Sequence, residues 1–280
     1  LLISFINLIS FNFNEFNFEF IKQNKPDLLS FDYLPNFTAG LTFFIAVAAT
    51  NLFHQGNWQR VYAAQNNKVL KKSLIVSFLI VIPIVFFMGF SGLVAVSINS
   101  TAVPDLAFFS LLLKEQTLML SVIVIVLAIS LTISSIDTLI NAISSLIVVD
   151  GSKALNFKGD YLKLSKYFII CLSIIAFAIA SKGLSILYLF LLADLLCCAA
   201  VLTVFYSFYD KKLNEKNAYL SILIGLFVGL ILFPSPDFSK SILIGIVFPV
   251  SSFPTFMTQS LLFLSFLFAT FLPIFTWKLK

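Results

Sequence analysis

Long apolar runs, each closed off by charged or turn residues, dominate the pattern of this chain. An α-helix needs about 20 residues to cross ~30 Å of hydrocarbon. Read against that length, the runs predict helices over 37–55, 73–98, 116–149, 165–181, 184–209, 218–233 and 258–277. A shorter run, 241–252 (SILIGIVFPVSS), falls below spanning length and is expected to be re-entrant or interfacial. The first ten residues, LLISFINLIS, are also too short to span, so they read as the tail of a helix begun upstream and the chain as a fragment of a longer one. A secretory signal is the weaker reading, because no basic segment and no small-residue cleavage site flank the run.

Lys and Arg orient these helices. Arg60, Lys68, Lys71 and Lys72 occupy 54–73, Lys153, Lys158, Lys163 and Lys166 occupy 150–166, and Lys211, Lys212 and Lys216 occupy 210–217. By the positive-inside rule these connections are cytoplasmic. The opposite face receives only Lys22, Lys25, Lys114, Lys182 and Lys240. A re-entrant 241–252 returns the tail, with Lys278 and Lys280, to the cytoplasm.

Composition sharpens the class. The 280 residues are 60% hydrophobic and 11% charged, with mean hydropathy +1.03, against roughly 45–50% apolar in a soluble domain. The reading is an all-α polytopic membrane protein. Its 34 Phe are taken as compositional bias and given no mechanistic weight. Cys171, Cys197 and Cys198 lie in apolar runs without a CxxC pair, and His54 is the one His, so no cofactor, haem, metal or disulfide framework is expected. Phosphate-loop, dinucleotide, HExxH and GxSxG motifs are absent, which speaks against an enzyme. Asp137 and Asp194 lack the flanking glycines of an intramembrane aspartyl protease.

One stretch breaks the apolar pattern: LTISSIDTLINAISSLIVVD, 131–150. On a helix Ser134, Thr138, Asn141 and Ser145 share one side, as do Asp137, Asn141 and Ser144. Each Ser or Thr taken singly is explained by a hydroxyl bonding the carbonyl a turn earlier. Asp137 is not, because an acid at a helix centre costs about 2.5–3.5 kcal/mol and normally faces a cavity, a partner or an ion path. Ser134, Ser135 and the Leu131 carbonyl offer hard neutral oxygens that suit reversible Na+ binding.

SSIDTLINAISSLIVVD resembles the sodium-binding helix of the sodium:solute symporter family, the eighth of its LeuT-type inverted-repeat core. TNLFHQGNWQRVYAAQNNKVLKKS, 50–73, is similar to the sixth core helix and its cytoplasmic exit, and LFLLADLLCCAAVLTVFYSFYD, 189–210, to the tenth. The resemblance implies a division into 1–36, an upstream helix end and extracellular loop; 37–210, core helices six to ten; and 211–280, additional transmembrane helices. Family members are roughly twice this length, and the first core helix, which completes the sodium site, is missing. The resemblance also implies Leu131 (carbonyl), Ser134 and Ser135 as sodium ligands. Asp137, Thr138, Asn141, Asn51, His54, Gln55, Asn57 and Asp194 are then candidates for the ion or solute path.

Some of these residues carry plainer readings too. Asp194 either hydrogen-bonds structurally or lines the solute or proton path. His54 is a pH-responsive gate or an interfacial residue bonded to its neighbours. Gln59 and Arg60 mark the cytoplasmic boundary, where Arg60 is an anchor snorkelling to headgroups or half of an inner gate. The expected activity is sodium-coupled symport of a small polar organic solute across the plasma membrane, with phrases closest to the urea and polyamine branch. The expected partners are Na+, that solute and the lipid bilayer, and no nucleic acid. Alternatives are a proton-coupled transporter of the same fold using Asp137 or Asp194, a non-transporting membrane sensor, and a fragment inactive alone, since inverted-repeat sites lie between the repeats.

Overall fold

A backbone in hydrocarbon has no water to satisfy its amides, so its hydrogen bonds must close within the segment. The computed structural model describes residues 16–98, 106–113, 118–154, 159–209, 214–238, 240–241 and 259–277. The helices are α1 (Phe18–Asn24), α2 (Leu34–Phe53), α3 (Gln55–Tyr62), α4 (Asn67–Ile98), α5 (Ala107–Leu113), α6 (Leu118–Ser145), α7 (Gly151–Ala154), α8 (Tyr161–Ala180), α9 (Ile186–Ser207), α10 (Glu215–Leu232) and α11 (Leu261–Trp277). A π-turn, Leu146–Asp150, joins α6 to α7. Among the described residues the one extended pairing is an isolated bridge between Pro234 and Ser241. Helices α2, α4, α8, α9, α10 and the Ser121–Asp150 stretch of α6 and its π-turn are long and apolar enough to cross a membrane. The run expected to be re-entrant, 241–252, lies beyond the described residues after its first residue, and 1–10 lies wholly outside them.

Helices α4, α8 and α10 begin earlier than hydropathy predicts, because polar caps precede the apolar runs, whereas α9 begins at Ile186, two residues after the predicted 184. Asp160 accepts from the N–H groups of Leu162 and Lys163 at 2.9 and 3.4 Å, which starts α8 at Tyr161 and not at 165. Asn214 accepts from Lys216 N–H at 3.2 Å and starts α10 at Glu215. Asn66 accepts from Val69 N–H at 2.9 Å beside the start of α4 at Asn67, where a predicted start at 73 leaves out a basic first turn. The run predicted to end at 55 ends at Phe53. His54 then turns extended, and the polar helix α3 (QGNWQRVY) starts anew. Gly183, with φ +63°, makes the tight turn from α8 to α9, a conformation few other residues adopt at so little cost.

The chain forms two compact units, residues 1–29 with 55–182, and 30–54 with 183–280. In the first, α6 packs on α3 and α8, and α4 on α1 and α5. In the second, α9 packs against α2, α10 and α11, and α11 also against α2 and α10. Its core gathers Ala46, Ala49, Leu191, Leu195, Cys198, Ala199, Phe233, Phe266 and Ala269, all buried. Lipid tails are as apolar as Leu, so such contacts depend on close packing, which small residues permit. Gly225 and Gly229 face α11: a Cβ on Gly225 would sit 2.6 Å from Pro273 Cγ and 2.9 Å from the Ala269 carbonyl oxygen. The Ser265 hydroxyl donates to the Gly229 carbonyl at 2.7 Å across the same contact.

Gly225→Ala is therefore expected to lower the thermal midpoint of the purified protein, at a cost of about 1–3 kcal/mol for overpacking. Gly89→Ala, where a Cβ meets nothing within 4 Å, is expected to leave it unchanged or slightly raised. Thermal unfolding in detergent micelles compares the two.

Candidate functional site

The 131–145 stretch is helical throughout, so the residues expected to share a side of α6 do share it. At 1.5 Å rise per residue, Asp137 lies about 2 Å from the midpoint of the Ser121–Asp150 span. Leu131, Ser134, Ser135, Asp137 and Asn141 are exposed, and Thr138 is half-buried. The Ser135 hydroxyl donates to the Leu131 carbonyl at 2.9 Å, and the Thr138 hydroxyl to the Ser134 carbonyl at 3.0 Å. Ser130 and Thr132 make the same bond to Val126 and Ala128. Asn141 Nδ2 reaches Asp137 Oδ2 at 3.4 Å. The Ser134 hydroxyl has no hydrogen-bond partner among the described residues.

This geometry gives the expected ligands different chemistry. A hydroxyl that donates backwards points its proton at the helix and leaves its lone pairs free, so Ser135 Oγ remains an acceptor for a cation. The Leu131 carbonyl already receives the Ser135 hydroxyl besides its helical amide, so it has less to offer than a free carbonyl. Ser134 Oγ is free to take any partner.

Where α6 ends, its polar residues are held by neighbours. Gln59 Nε2 on α3 donates to Ser145 Oγ at 3.2 Å, and Ser144 Oγ lies 3.0 Å from Ser165 Oγ on α8. Gln59 is thus a cross-helix clamp, and Arg60 beside it is exposed. Gln55 and Asn57, also on α3, are half-buried. Ser165, almost fully buried, was not singled out from sequence, since a lone Ser at a predicted helix start carries no signal.

The other candidates belong to the second unit. Asn51 Nδ2 donates to the Val47 carbonyl at 2.8 Å. His54 caps the C-terminal end of α2, with Nδ1 buried and lacking a partner among the described residues. Asp194, only 3% exposed, accepts the Thr50 hydroxyl at 2.5 Å. The Cys198 thiol lies 3.8 Å from the Ile45 carbonyl, a weak donor on the same helix contact. Thr50 also escaped the sequence reading, although a mid-helix acid demands some partner. Among the described residues no three His, Cys, Asp or Glu side chains gather as a metal site.

These features define an all-helical, membrane-embedded protein with a polar face at the centre of one spanning helix. No family model, no curated protein and no solved structure matches the chain.

If Asp137 bears the cost expected of a mid-span acid, Asp137→Leu makes insertion of the α6 segment more favourable by about 2.5–3.5 kcal/mol. A glycosylation-mapping insertion assay on that segment reads the shift directly.

Proposed function

We propose that the chain belongs to a sodium-coupled secondary symporter for a small polar organic solute, working by alternating access in the plasma membrane. The observation that carries this reading is the polar face of α6: an acid within about 2 Å of mid-span, flanked by Ser134, Thr138 and Asn141, with Ser135 at the edge beyond Ser134, and meeting only Asn141 among the described residues. Such a face is costly in lipid and becomes favourable against water, an ion or a further helix. Neutral hydroxyl oxygens replace the hydration of Na+ without trapping it, and release is as necessary to transport as capture.

In this reading Na+ sits at Ser134 and Ser135, with the Leu131 carbonyl joining once the Ser135 hydroxyl turns away. Thr138 and Asn141, on the side of Ser134, and then Asp137, beside Asn141, carry the path onward. Binding biases the outward-open form, and release follows toward the Lys-bearing connections. One Na+ entering down about 100 mV supplies about 2.3 kcal/mol. A tenfold Na+ gradient adds about 1.4 kcal/mol. At that same energy per decade the two sustain a solute gradient of roughly 500-fold at one ion per solute. The likeness to urea and polyamine symporters makes those solutes the first to screen.

The test places a thiol beside the ion and leaves the ligands intact. In the full-length chain with Cys171, Cys197 and Cys198 replaced by Ala, Thr138→Cys is expected to be shielded from a membrane-permeant thiol reagent by Na+ but not by K+ or choline. Adding Ser134→Ala should abolish that protection, and Ile136→Cys, on the opposite side of α6, should never show it. Equal labelling of Thr138→Cys in Na+ and K+ would remove sodium from this helix.

A further inference from the structure

Asp194 raises a separate question, because the second unit buries it with no countercharge on the described elements packed around it. It sits on α9, about 4 Å from the helix midpoint by rise per residue. It is 3% exposed, and its one hydrogen-bond partner among the described residues is the neutral hydroxyl of Thr50. A buried ion in a membrane helix normally pairs with an opposite charge or a backbone group. The described elements packed on α9, which are α2, α10 and α11, supply no opposite charge near it. Helix α2 (LPNFTAGLTFFIAVAATNLF) has no titratable side chain, and its cap His54 lies one turn beyond Thr50. Helix α11 (LLFLSFLFATFLPIFTW) has none either. On α10, Glu215, Lys216 and Tyr219 lie in the first turns, and α10 begins just past the end of α9, which is itself about 20 Å along the axis from Asp194. On α9 the other titratable groups are Tyr188, Cys197, Cys198 and, near the C-terminal end, Tyr206, all neutral in their ordinary forms.

Thr50 is the informative partner. Thr38 and Thr42 on the same helix turn their hydroxyls back to carbonyls within α2, at 3.2 and 2.7 Å. Thr50 instead donates across to α9. A hydroxyl can donate or accept, which a Lys or Arg cannot. The same contact therefore survives both states of the acid. With Asp194 ionised, Thr50 donates to Oδ1. With a proton added to the carboxylate, the acid donates to Thr50 Oγ1, and the Thr50 proton is free to turn to the Ala46 carbonyl as its neighbours do.

We propose that Asp194 and Thr50 form a proton-binding site inside the second unit, taking one proton from water and returning it without separating α2 from α9. No electron moves and no other bond forms: a carboxylate becomes a carboxylic acid, and the hydrogen bond between the two residues reverses. This site is independent of the sodium reading, which rests on α6.

Infrared difference spectra of the full chain in liposomes, stepped from acid to alkaline pH, test it. The carbonyl stretch of a protonated carboxyl is expected to appear at acid pH and vanish at alkaline pH, to be absent from Asp194→Asn, and to shift in Thr50→Val. The Thr50→Val shift keeps the assignment decidable if the Asn variant fails to assemble. Identical spectra for wild type and Asp194→Asn, or a band unmoved by Thr50→Val, would overturn the site while leaving sodium binding at Ser134 and Ser135 a separate matter.

Discussion

Hydrocarbon offers nothing to a polar group, and the spanning helices of this chain answer to that constraint. It forces the backbone into helices, since each amide must find its carbonyl within the same segment. It sends the short polar side chains back onto their own helix, as at Ser130, Thr132, Ser135 and Thr138. Close packing then replaces the hydrophobic effect as the bond between helices, which is why Gly225 and Gly229 meet Pro273 and Ala269 with no room for a Cβ.

The two units meet the constraint in different ways. In the second, several polar groups are absorbed, as Asp194 has Thr50, Ser265 has the Gly229 carbonyl and Cys198 leans on Ile45, while the buried His54 Nδ1, Thr203 Oγ1 and Ser260 Oγ have no partner among the described residues. In the first, the C-terminal end of α6 is held by Gln59 and Ser165 while its centre is not. Ser134, Ser135 and Asp137 stay exposed on a helix of spanning length. Under the proposed reading the mid-span polar face carries an ion path, and the closed pair of Asp194 and Thr50 holds a proton.

Much of the fold was legible because spanning helices are written in long apolar runs, which survive any change of partner. Their ends were less legible. Caps such as Asp160 and Asn214 belong to polar turns that hydropathy counts as loop, and α3 is too polar to register as a helix at all. The π-turn at Leu146–Asp150 leaves no mark in residue type. In the site, helical spacing alone grouped Ser134 through Ser145, since periodicity fixes which residues share a side. Cross-helix partners were not legible: nothing in the sequence ties Thr50 to Asp194, 144 residues on, or Gln59 to Ser145. Those pairings depend on packing between helices, which a single sequence does not encode locally.

Sodium binding on the polar face of α6 is the proposal from which the transport mechanism follows. Equilibrium binding of radiolabelled Na+ to the purified full-length protein measures it without knowledge of the solute. Saturable binding displaced by unlabelled Na+ but not by K+, weakened at least tenfold by Ser134→Ala and by Ser135→Ala and unchanged by Ser207→Ala at the end of α9, is the predicted result. Binding that is absent, or indifferent to both α6 substitutions, would contradict it.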